Sequence, residues 1–267
     1  LIGKNAAVEV DGSAYWMSEN GFFRYTGKLD SLACLVEDYV FDDLNTVPRN
    51  HIFAGLNNLF GEVTWFYPGS GAASNNRSVT YNYMDSTPER PVWTTSTLAR
   101  STWSDSHIFG KPHATEYDSS ATSDTTVGNT DGVTYYYEHE TGVNQIKDGA
   151  GTAIAASIES GDFDISAVQG GGADLRGDGE YIMKIRRVLP DFLQQTGDAR
   201  VTLNLKNYPT DSQASSSLGP FTTTTSTTKI DTRARARAIS LKVDNTSTGQ
   251  HWKLGTFRLD IQADGRR

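Results

Sequence analysis

The string Thr232-Arg-Ala-Arg-Ala-Arg-Ala238 sets a guanidinium at every second position, at Arg233, Arg235 and Arg237. On a β-strand alternate side chains share a face. The arginines then form a ladder with rungs about 7 Å apart, and the alanines form a small opposite face against which another sheet can press. A guanidinium ladder recognises phosphate or carboxylate oxygens. One reading is a contact with nucleic acid or with a carboxylate-bearing partner chain; the other is pairing with carboxylates of the same chain, such as Asp231 or Asp260. The chain holds 24 Lys+Arg against 32 Asp+Glu, a formal charge of −8. Phosphate binding needs clustered surplus cation, so protein carboxylates, within or between chains, are the expected partners.

The other residues capable of chemistry fall into no working pattern. His51, His107, His113, His139 and His251 are scattered, with no metal-ligand spacing among them. Glu138-His139-Glu140 has the residue types for proton transfer, but nothing in the sequence fixes a partner. Asp174, Asp178 and Glu180 surround two glycines without matching a calcium loop, and read as a polar turn. Thr102-Trp-Ser-Asp105 does not fit the Ser-x-Asp-x-Gly-x-x-Trp turn of propeller glycosidases, although a two-carboxylate site is not excluded by counting. No phosphate-binding, dinucleotide or serine-nucleophile fingerprint occurs, and the expectation is a protein without catalytic residues, cofactor or metal. With one cysteine, Cys34, the chain has neither an internal disulfide nor a cysteine-based zinc site. No apolar run approaches the ~18 residues of a membrane span.

The elements around these residues are strands. Three stretches open on glycine and run into Thr, Val and aromatics: Gly12-Ser-Ala-Tyr15-Trp16-Met17, Gly61-Glu-Val-Thr64-Trp65-Phe66-Tyr67 and Gly132-Val-Thr-Tyr135-Tyr136-Tyr137. β-Branched and aromatic residues favour strands, and the adjoining Asp-Gly and Asn-Gly pairs favour tight reversals. Such units at intervals of roughly 50–70 residues predict an all-β chain of β-propeller-like blades. The first unit has strands at 6–10, 14–17 and 22–25. The second has strands at 51–54, 61–67 and 78–84. The third has a strand at 132–139 and its return at 143–146. Leu32, Leu35, Val36, Tyr39, Val40 and Leu44 recur at helical spacing, predicting one short helix over 31–45 capped by Ser31. Gly149 to Ser157 reads as a close-packed strand of small residues. The texture changes at 166, giving a division into blade units over 1–165 and a divergent C-terminal antiparallel sheet over 166–267, continuous with the same body. Its strands are expected at 180–188, 199–206, 235–243 and 252–261. Residues 118–131 and the Ser/Thr-rich 209–228 read as long loops or mobile arms.

Successive phrases of the chain resemble one family. They are Ala14-Tyr-Trp-Met-Ser18 with Gly21-Phe-Phe-Arg-Tyr25, Asp38-Tyr-Val-Phe-Asp-Asp-Leu-Asn45, Gly61-Glu-Val-Thr-Trp-Phe-Tyr-Pro68 and Val79-Thr-Tyr-Asn-Tyr83. Tyr135-Tyr-Tyr-Glu-His-Glu-Thr-Gly142, Ile158-Glu-Ser-Gly-Asp-Phe-Asp-Ile165 and Trp252-Lys-Leu-Gly-Thr-Phe-Arg-Leu-Asp-Ile261, followed by Asp264-Gly-Arg266, complete the series. Their order is similar to that of the tail hub, stabilisation or nozzle proteins of short-tailed bacteriophages. The resemblance implies a virion structural protein, made in the host cytoplasm. It forms a homo-hexameric ring below the portal and adaptor, holds tail fibre or needle proteins, and lets genomic DNA pass without specific binding. Members are generally longer at the N-terminus, so the chain is expected to be processed or to be the C-terminal part of something longer, with some blades before residue 1. The acidic residues are then expected to face the lumen and the Arg233/Arg235/Arg237 ladder to face protein. Two alternatives remain open: a glycan- or receptor-binding tail module, and a carbohydrate-active propeller enzyme.

Overall fold

A computed structural model describes residues 1–106, 108–121, 132–165, 181–208 and 216–266. The chain is all-β with one α-helix among the described residues, and it divides into two compact units, Leu1–Thr141 and Gly142–Arg267. The division falls earlier than the change of texture at 166.

In the first unit the strands are β1 (Ala7–Val10), β2 (Ser13–Ser18), β3 (Gly21–Tyr25), β4 (Leu29–Leu32), β5 (Phe53–Asn57), β6 (Glu62–Tyr67), β7 (Arg77–Thr87), β8 (Arg90–Ser96), β9 (Thr102–Ser104), β10 (His113–Asp118) and β11 (Val133–Glu138). Each sheet is an antiparallel meander of sequential neighbours: β1-β2-β3-β4, β5-β6-β7-β8 and β9-β10-β11. The β1–β2 reversal has Asp11 and Gly12 both at positive φ, 48° and 78°, the twist that a two-residue hairpin turn requires. The first two sheets share one core, in which Phe22 lies 4.9 Å from Trp65 and 4.7 Å from Trp93 between ring centroids. The Trp65 indole N–H donates to the Ala6 carbonyl at 3.1 Å, and a parallel bridge joins Asn5 to Phe53, so the two sheets are stitched at β1 and β5. Full burial of Trp65, Phe22, Met17 and Ile52 stabilises the unit by about 1.5–3 kcal/mol per side chain.

The second unit contains β12 (Asn144–Lys147), β13 (Ala150–Ala153), β14 (Ser157–Glu159), β15 (Tyr181–Leu189), β16 (Phe192–Thr196), β17 (Ala199–Lys206), β18 (Ser216–Thr223), β19 (Ile230–Ala236), β20 (Ala238–Asp244), β21 (His251–Leu254) and β22 (Arg258–Arg266). The sheets run β14-β20-β17-β18 and β19-β15-β22, with the pairs β12-β13 and β16-β21 beside them. Strand β17 alternates strictly, burying Ala199, Val201, Leu203 and Leu205. Val201, Leu203 and Leu205 join Met183, Ile185, Val188, Ala234, Ala236, Ile239 and Val243 in a second core.

Several expectations need correction. The helix, α1, spans only Glu37–Asp43; Ser31 lies in β4 and caps nothing. Backbone pairing with β3 claims residues 29–32 before a helix can start. The first two units each gain a fourth strand, β4 and β8. The third is built backwards from the expected one, because β11 pairs with β10 whereas β12 pairs with β13. The small residues 150–153 form an exposed hairpin arm, since Asp148 and Gly149 turn the chain at φ 50° and 74°. Part of the Ser/Thr tract is strand β18, whose Thr223 is buried and donates its hydroxyl to the Ala199 carbonyl at 2.8 Å. Residues 209–215, most of 118–131, and Asp174, Asp178 and Glu180 lie outside the described residues.

Candidate functional site

The arginine string divides between two sheets. Arg233 and Arg235 are exposed on β19 while Ala234 and Ala236 are buried, as alternation requires. The strand ends at Ala236. At Arg237 the backbone bends, its N–H donates to the Lys206 carbonyl at 3.1 Å, and the chain crosses into β20 of the other sheet. The ladder therefore has two rungs, and Arg237 stands at a corner.

Neighbouring strands add cations that the string did not reveal. Lys184 on β15 is in register with Arg235, and its neighbours Met183 and Ile185 face the core. A β-bulge follows between Ile185 and Arg187. Strict alternation would turn one of two successive residues inward; the extra residue lets both Arg186 and Arg187 stay outside. On this outer face Lys184, Arg186, Arg187, Arg233 and Arg235 outnumber Asp231, Asp260 and Asp264.

The ion pairs on this face are internal to the chain. Arg235 meets Asp264 at 2.5 Å. Asp231 accepts from Lys229 at 2.9 Å and Arg187 at 3.0 Å, and these two cations hold its carboxyl below the ordinary range. Arg186 and Arg233 have no carboxylate at ion-pair distance among the described residues. Exposed, solvent-screened pairs of this kind add little, so the face is held by its backbone ladder and not by its charges.

A second polar constellation sits in the first unit. Arg100, 3% exposed, donates from Nε to His139 Nε2 at 3.0 Å and pairs with Glu116 at 3.3 Å. Its guanidinium carbon lies 4.1 Å from the centre of the Tyr137 ring. Burial pulls the guanidinium below its ordinary pKa while Glu116 and Tyr137 push it back. Burial, then Arg100 and His113, bring His139 down to about 4. Trp103 covers the imidazole at 4.5 Å and lies on Gly55, its indole N–H donating to the Leu56 carbonyl at 2.8 Å. Beside these groups is a cleft of about 680 Å³ lined by Asn50, His51, Asn75, Arg100, Trp103 and Tyr117. Asn75 is 7% exposed, donates to the His51 and Arg100 carbonyls, and leaves its own carbonyl oxygen without a partner.

The residues whose types suit acid–base chemistry, to which the sequence assigned no role, are separated by their partners. Glu138 accepts from the Thr141 hydroxyl and pairs with Lys111, His139 receives Arg100, and Glu140 accepts from Asn57 at 3.0 Å. His51 contacts the Ala73 carbonyl through Nδ1, His113 stacks on Tyr136, and His251 is exposed on β21. His107 lies outside the described residues. Asp105 accepts from the Asn58 N–H at 2.7 Å, a turn-holding contact. Among the described residues no group of three His, Cys, Asp or Glu can hold a metal ion, and no helix is long and apolar enough to cross a membrane. Cys34 is a half-buried free thiol pushed up to about 11, chiefly by burial.

Sequence reasoning missed the Arg100 cluster because its members come from separate strands and the segments between them and share no spacing. It also missed Arg186 and Arg187, since a bulge leaves no sign in the residue types. No protein-family model matches the chain, and no curated protein sequence matches it significantly.

Proposed function

We propose that the chain is a structural component of a bacteriophage tail, a subunit of a hub or nozzle ring that conducts DNA and anchors other tail proteins. The observation that carries this reading is the pair of four-stranded meanders, β1–β4 and β5–β8, around one aromatic core. Sequential up-and-down sheets of four strands are the blade topology of propellers. The tryptophans of these units support the structural role: Trp65 is fully buried, and Trp93 stacks among Phe22, Trp65 and Tyr81. Side chains committed to packing in this way are withdrawn from ligand recognition. Exposed Leu35, Tyr39, Val47 and Phe109 add apolar surface of the kind that subunit contacts cover. Negative-stain imaging and native mass measurement of the purified chain test the reading. A closed ring of identical copies is expected. A monomer at every concentration, together with absence from purified virions, rejects it.

A glycan-binding reading is favoured by the 680 Å³ cleft, where exposed Tyr117 borders Asn50 and Asn75. Aromatic faces bordered by amides suit a neutral sugar. Titration of host surface polysaccharide against the chain and its Tyr117→Ala variant decides it: binding lost in the variant supports the reading, and no binding by either removes it.

A further inference from the structure

We infer that the outer face of the β19–β15–β22 sheet docks a second copy of this chain, through the acidic first unit of that copy. The inference rests on the assembly reading above and names the surfaces that would carry it.

Charge is divided unevenly along the chain. In residues 1–141 Asp and Glu outnumber Lys and Arg by more than two to one, whereas in 142–267 the balance reverses. Five cations of the second unit gather on one sheet face, and two of them, Arg186 and Arg233, lie at the bulge between the Ile185–Ala234 and Arg187–Asp231 pairs, without a carboxylate partner among the described residues. Both are exposed and fall within the same step of the ladder, so they add to one patch of positive charge.

The first unit presents complementary charge. On α1 the exposed Asp38 and Asp42 are one turn apart, which sets their Cβ atoms about 5–6 Å from each other. Neither meets a cation at ion-pair distance among the described residues. Asp43 beside them is already taken by Arg77 at 2.9 Å. Like charges at this spacing repel in the isolated chain, and a facing pair of guanidiniums relieves that repulsion. Leu35 and Tyr39, 78% and 57% exposed, supply apolar area beside the carboxylates. The opposite ends of the contact belong to different surfaces, so it is heterologous and passes from copy to copy until it closes. A phosphodiester backbone fits the face less well, because Asp231, Asp260 and Asp264 stand on it and repel phosphate.

The test uses the full chain and two reversed variants, Arg186→Glu/Arg233→Glu and Asp38→Lys/Asp42→Lys, followed by light scattering after gel filtration. Wild-type assembly should weaken between about 50 mM and about 500 mM salt. Each reversed variant should lose at least tenfold in association, and an equimolar mixture of the two should regain it, because each then carries what the other lacks. Unchanged far-ultraviolet circular dichroism establishes that the variants fold; Arg186→Gln/Arg233→Gln replaces the first should it not. A ring that persists unchanged in both variants overturns the surface assignment and leaves the ring reading standing. A wild-type chain that never assembles overturns both. Assembly unchanged in the reversed variants, with DNA retention lost only when the arginines are reversed, assigns the face to a polyanion instead.

Discussion

Protonating His139 would set two cations against each other, because its Nε2 already receives the Arg100 N–H. The linkage has a definite sign. The folded-state value of about 4 lies below the ordinary 6.5, so in that interval the unfolded chain holds the extra proton. The stability contributed by neutral His139 is complete above about pH 6.5 and is lost progressively as pH falls toward about 4, with an upper bound of about 3 kcal/mol. Urea midpoints at pH 7 and pH 4.5 measure it. In His139→Gln a non-titrating carbonyl takes the imidazole's place as acceptor, and the drop between the two pH values should shrink. Glu116→Ala should cost about 3 kcal/mol at neutral pH by leaving buried Arg100 without its counter-charge, again read from urea unfolding. None of this was legible in sequence: Glu138-His139-Glu140 drew attention by adjacency, but adjacent side chains of a strand end point apart and find separate partners.

At the scale of elements, close approach explains what propensity does not. A Cβ on Gly55 would fall 2.7 Å from two atoms of the Trp103 ring, which Phe66 and His139 hold in place. Gly55→Ala should therefore destabilise by about 1–3 kcal/mol, measured as a lowered melting temperature with loss of the Trp103 near-ultraviolet signal. The strands of the first two units were legible because Tyr15, Trp65 and Val79 alternate with residues of the opposite face and Gly or Asn marks each reversal. The helix was legible in kind and too long in extent. Its apolar period continued into Leu32, which is buried from a strand and not from a helix. Partnering of β11 was illegible, because a strand carries no mark of which neighbour it will pair with. The same limit hid β18: Ser and Thr pack poorly by composition, but Thr223 satisfies its hydroxyl on β17 and can be buried there.

Over the whole molecule, each unit has its own apolar core. Residues 1–141 should fold without the remainder, because a unit that buries its own core can fold alone. A fragment ending at Thr141 is expected to give a cooperative thermal transition and blue-shifted Trp65 emission; a fragment with solvent-like emission would contradict this. The charge division was present in the sequence throughout, but it acquires meaning only once the boundary at Thr141 is known. Cys34 adds a practical consequence. A thiol held near 11 is protonated at neutral pH and reacts slowly with alkylating reagents and disulfides. The native thiol is thus a slow target for thiol probes. A cysteine introduced on the surface becomes its one fast-labelling position, so a fluorophore or a cross-linker can be placed there without first removing the native thiol.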